Sequence, residues 1–105
     1  MTQALVVYVT AASRKEADRI AQVLVQEKFA ACVSIIPKIY SRYWWQGRIE
    51  KSEEFLLIIK TVSVRYKALE KRIRDLHSYS VPEILALPVA KGNPAYIQWM
   101  KDSLQ

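Results

Sequence analysis

Two side chains in this 105-residue chain are chemically alone: His77 is the only histidine and Cys32 the only cysteine. An imidazole ligates borderline and soft metals, so one His per subunit suffices for a metal site if a carboxylate or further copies of the chain contribute. The structural alternative is that His77 closes a helix, where a ring N–H satisfies unpaired carbonyls and a partial positive charge suits the dipole. Cys32 lies in an apolar run, where an unpaired cysteine usually behaves as a small buried hydrophobe. One Cys and one His allow a nucleophilic dyad in space. Nothing in the sequence brings the two together or supplies an oxyanion site, so no catalysis is expected. A lone cysteine also excludes an internal disulfide, a zinc knuckle and a CxxC pair, and fits a reducing compartment.

The second constellation is "SRYWWQGRIEKSEE", Ser41 to Glu54, where Tyr43, Trp44 and Trp45 precede a Gly and charges follow. Rings beside Arg42 and Arg48 would suit base stacking. However, the short Gly-rich motifs that place such rings on an exposed sheet face are missing. Burial of the three rings between subunits is the better expectation. Glu50, Glu53 and Glu54 resemble an acidic metal patch, yet Arg48 and Lys51 lie among them, and solvated or intersubunit salt bridges are expected instead. No GxGxxG or GxxxxGK[ST] occurs, and Gly92-Asn93-Pro94 reads as a turn and helix start.

Sixteen Lys and Arg against ten acidic residues give a net charge of +6. The basic residues are interspersed with acids, as in "RKEAD" and "EKRIRD", so solvated helix faces are expected and no nucleic-acid partner. With 51% hydrophobic residues the chain is a single globular domain, residues 1–105. Its N-terminus lacks a basic n-region and its apolar run is short, which argues against a signal peptide or membrane span and for a cytoplasmic address.

These residues are positioned by a predicted order β-α-β-β-α-β-α. "ALVVYVT" is a strand, and Ser13 with Glu16 forms a capping box for a helix carrying Ala17, Ile20, Ala21 and Leu24 on one face. "ACVSIIPKIYSRYWW" and "RIEKSEEFLLIIKT" form a long hairpin around Gln46-Gly47, with a bulge at Pro37 where the arm leaves the body. Ser63 is expected to cap a second helix ending near His77, "EILALPVA" is the last strand, and Asn93-Pro94 starts a final helix. This is the α+β, ferredoxin-like βαββαβ arrangement with a C-terminal helix, both crossover helices lying on one sheet face. The strands "LVVYV" and "FLLII" are apolar on both faces. With no residues available for another layer, a second copy of the chain is the expected cover.

"AACVSIIP", "SRYWWQGRIEKSEEFLLIIKT", "LHSYSVPEILALPV" and "GNPAYIQWM" together resemble the CutA divalent-cation tolerance proteins along nearly the whole chain. The family pattern S-x-Y-x-W-x-G-x-I-E is met by Ser41, Tyr43, Trp45, Gly47, Ile49 and Glu50, with Trp44 outside it. The resemblance implies a homotrimer related in architecture to PII signalling proteins, held together by the long hairpins with Tyr43, Trp44 and Trp45 at the trimer interface. It also implies a non-catalytic protein with no required cofactor that binds copper(II) or another divalent cation near the subunit interfaces. His77, Cys32 and Glu83 are the implied metal ligands, and Lys60 and Tyr79 line the implied interface cleft. The alternative is a PII-like scaffold whose clefts hold a small ligand or protein. Three positions depart from the family: Ser78 stands where Pro is common, Ser80 replaces a carboxylate or amide, and Val9 occupies a position that is Cys in some members.

Overall fold

A computed structural model describes residues 2–105. The opening β-branched run forms β1 (Ala4–Ala11) and leads into α1 (Arg14–Gln26). Ser13 Oγ accepts from the Glu16 N–H at 3.1 Å, and Glu16 Oε1 accepts from the Ala12 N–H at 3.2 Å. The capping box therefore forms, with its return bond one residue earlier than the cap.

β2 (Cys32–Trp45) and β3 (Arg48–Val62) pair as the long hairpin. Gln46 and Gly47 both have positive φ, 51° and 78°, as a two-residue turn matching the strand twist requires. The register shifts between Ile36 and Ile39, where Pro37 lacks an N–H and Lys38 takes a φ of 56°, so the expected bulge is present. Beyond it the arm projects, and the molecule measures 44 × 26 × 23 Å.

A single 3-10 turn, Ser63–Arg65, precedes α2 (Tyr66–Leu76). The expected Ser63 cap is not made. The Ser63 hydroxyl instead accepts from the Gln3 N–H at 3.0 Å and tethers the N-terminal strand. β4 (Ile84–Pro88) is shorter than "EILALPVA", which leaves Glu83 in the loop before it. In α3 (Pro94–Ser103) the Asn93 side chain accepts from the Ala95 N–H at 3.0 Å, with Pro94 at the first helical position as expected.

The sheet order is β2-β3-β1-β4, with every neighbouring pair antiparallel. This is the ferredoxin-like α+β topology. Strand alternation sends Val7, Val9, Leu57 and Ile59 to one face, where they meet Ile20 and Leu24 of α1 and Leu69 and Ile73 of α2 in one core. Alternate positions face the other way. There α3 packs against β3 with its Met100 and Leu104 buried. The final helix thus provides part of the cover expected from another copy. The rest of that face stays open, and Tyr8, Ile36, Leu85 and Leu87 are exposed on it.

Candidate functional site

α2 ends at Leu76, and the chain turns out at His77, whose extended backbone stops the helix. The Tyr79 N–H donates to His77 Nδ1 at 3.0 Å, and His77 Nε2 lies 2.7 Å from the Thr10 carbonyl oxygen. A backbone N–H can only donate, so Nδ1 is the acceptor and Nε2 carries the proton that it donates to Thr10. Both ring nitrogens are therefore used within the chain. A metal at Nδ1 has to displace the Tyr79 N–H.

The loop after His77 is held from two sides. On one, Glu16 accepts from the Ser78 N–H at 2.7 Å and the Ser78 hydroxyl at 3.1 Å. A proline at position 78 could make neither bond, so the departure from the family pattern adds a tether here. Burial pushes the Glu16 carboxyl up, but the bonds from Ser78 and Ala12 outweigh it and hold the group below its ordinary value of 4.5. A carboxyl lowered on folding contributes stability above its unfolded pKa and loses it as the pH falls through the folded value. Glu16→Ala is expected to cost about 1 kcal/mol near neutrality, because three donors turn to water. Thermal melts of the two proteins should converge as the pH is lowered below 4.5.

On the other side, the Tyr79 ring lies 4.8 Å from the His77 ring, and its hydroxyl donates to Glu54 Oε2 at 2.8 Å. Burial, then the Glu54 bond and charge, push the phenol far up from its ordinary value. Glu54 is only 5% exposed. This corrects the solvated reading for Glu54 alone, since Glu53 beside it is exposed. Among the described residues, no ion pair joins these acids to Arg48 or Lys51. The signal for Glu54 was its phase: it alternates with Leu56 and Ile58 along β3 and so belongs to the same sheet face.

Tyr79, Glu54 and Glu83 line a groove of about 690 Å³, with Tyr43 and Trp45 of the projecting arm as its other wall. Tyr43 pairs with Glu50 and Trp45 with Arg48, on the same hairpin face as Glu54. The Ser52 hydroxyl donates to Tyr43 Oη at 3.4 Å. Glu83 stands exposed at the rim, and partial burial of its carboxyl, followed by the Glu54 charge, pushes it up from the ordinary carboxylate value. A cation in the groove would relieve that repulsion.

Cys32 and Lys60 lie elsewhere in the chain. They face each other across β2 and β3, whereas Thr10, the His77 partner, pairs with Leu56. The separation is four strand positions, roughly 13 Å. Cys32 is partly exposed rather than fully buried, 4.0 Å from the Ser34 hydroxyl, and Lys60 Nζ donates to that hydroxyl at 3.2 Å. Tyr96 of α3 lies beside them, its phenol raised by burial and by the adjacent Cys32. A Cys32–His77 dyad within one chain is thus not formed, and Lys60 does not share the Tyr79 groove of its own chain. Among the described residues, no three His, Cys, Asp or Glu side chains converge to hold a metal ion.

Trp44 points away from the groove, paired with Ile49 and 72% exposed against 43% for Trp45. No helix among the described residues is long and apolar enough to cross a membrane.

The family model for the CutA1 divalent ion tolerance protein matches residues 5–103. The divalent-cation tolerance protein CutA of Thermus thermophilus is 44% identical over 93% of this chain and 95% of that protein. The chloroplastic CutA 1 of Oryza sativa is 44% identical over 94% of this chain, which spans only 56% of that longer protein. Solved structures agree: the Thermus thermophilus protein superposes with a TM-score of 0.95 at 42% identity, covering 97% of this chain and 99% of that one. The periplasmic divalent cation tolerance protein CutA of Archaeoglobus fulgidus gives 0.94 at 38% identity, again covering 97% and 99%. With matched residues running from β1 through α3, the chain belongs to the CutA1 divalent ion tolerance family.

Proposed function

We propose that this protein is a homotrimer that binds divalent metal ions, copper first, at or near its subunit interfaces and without catalytic turnover. The observation that carries the reading is the half-open sheet face, where Tyr8, Ile36, Leu85 and Leu87 form an apolar surface opposite the core. Soluble proteins rarely leave such a face to water, and a symmetric assembly of identical chains is the economical cover. Assembly also gives the metal site its missing ligands, since Glu83, His77 and Cys32 of one chain do not converge. The divalent-cation tolerance named for the relatives supports the choice of ligand. Cytoplasm is the proposed address.

Native mass spectrometry during a copper titration tests both parts. The expected result is three subunits with a fixed copper stoichiometry that Glu83→Gln and His77→Ala reduce while the trimer persists. Unchanged copper uptake in both variants and in Cys32→Ser contradicts the site, and a monomer contradicts the assembly. In the same instrument, Trp45→Ala is expected to weaken the trimer at least about tenfold more than Trp44→Ala, because Trp45 is the more buried ring and faces the groove. Earlier dissociation of the Trp44 variant on dilution would reverse that assignment of faces.

A second reading has its own observation. A groove of about 690 Å³ with aromatic walls is far larger than a bare ion needs and lies in the range of small-molecule sites. On this reading the trimer is a PII-like ligand scaffold, and metal binding is incidental.

A further inference from the structure

Resting on the ligand-scaffold reading, we propose that the groove between the projecting arm and the loop after α2 takes a small organic cation, an ammonium group on an apolar body. Its floor holds Glu54, 95% removed from solvent with one oxygen engaged by Tyr79, and its rim holds Glu83. Its walls are the rings of Tyr43, Trp45 and Tyr79. Carboxylates accept the hydrogen bonds of an ammonium, and ring faces attract the positive charge while covering the apolar part.

The obvious competitor is a bare metal ion, which needs several ligands brought to within about 2–2.6 Å of one point. No such convergence exists within one chain among the described residues, the Trp45 indole offers no ligand atom, and the Tyr79 hydroxyl is already donated to Glu54. An anion is the other competitor, favoured by Arg42, which also lines the groove. Arg42, however, pairs with Lys51 on the hairpin face opposite Tyr43, Trp45 and Glu54. The strand alternation therefore directs Glu54 to the groove and sends the guanidinium to its margin, while the loop before β4 supplies Glu83.

The test uses the intact protein in metal-chelating buffer and three probes of nearly one shape: benzylammonium, benzyl alcohol and benzoate. The readout is the indole N–H NMR signal of Trp45, assigned with Trp45→Phe among the three tryptophans. Benzylammonium is expected to shift that signal saturably, at least about tenfold more tightly than benzyl alcohol. Glu83→Gln, at an exposed position, should remove most of the preference, and Glu54→Gln should remove it further. Equal binding of benzylammonium and benzyl alcohol overturns the cation assignment and leaves the scaffold reading standing. Tighter binding of benzoate does the same. Failure of all three probes to shift Trp45 overturns both.

Discussion

Leu85→Asp is expected to yield a chain that is folded and monomeric. Leu85 sits on β4 opposite Tyr8, on the sheet face away from α1 and α2, and is 58% exposed in the single chain. A carboxylate there is hydrated in the monomer, so the fold has little to lose. In a trimer closed over that face it becomes a buried unpaired charge, at about 3–5 kcal/mol for each copy. Association should weaken at least about a hundredfold, read by sedimentation velocity, while the circular dichroism spectrum stays that of the parent. A Leu85→Asp trimer of undiminished stability would mean that the open face is not the interface.

The second large effect separates two adjacent residues by the face they occupy. Ile59 is fully buried between β1 and the two helices, whereas Ile58 faces the open side opposite Tyr8. Ile59→Ala should destabilise the fold by about 2–5 kcal/mol, the lost transfer energy plus the cavity. Ile58→Ala should cost the single chain less than about 1 kcal/mol. Urea melts in the Leu85→Asp background make the comparison clean, since association no longer adds to apparent stability. Comparable losses at both positions would show that the open face is already packed in the monomer.

Much of the fold was legible because it depends on local chemistry. Gln46-Gly47 adopts the positive φ values of a hairpin turn, Pro37 interrupts the pairing register, Ser13 caps α1 and Asn93 caps α3, each within a few residues of its signal. Ser63 was legible only in part. It begins a 3-10 turn, and its hydroxyl serves Gln3 across the fold rather than the helix beside it. Which partner a hydroxyl takes depends on what the sheet brings near it, and strand order is not written locally.

The candidate site shows the same division more sharply. From its sequence alone, the protein's hairpin, its α+β class, its apolar strands and the family pattern of its arm were determined, because turn geometry and side-chain periodicity act over a few residues. Only the tertiary structure decided that both His77 nitrogens are spent on Thr10 and Tyr79, that Glu54 leaves its charged neighbours for a buried place under Tyr79, and that Cys32 lies away from both. Apart from the Tyr79 N–H bond to His77, two residues away, the bonds that decide them join residues 25 and 67 positions apart in the chain. A buried polar group takes its partner from whatever segment the sheet order places beside it, so its role is settled by packing and not by residue type.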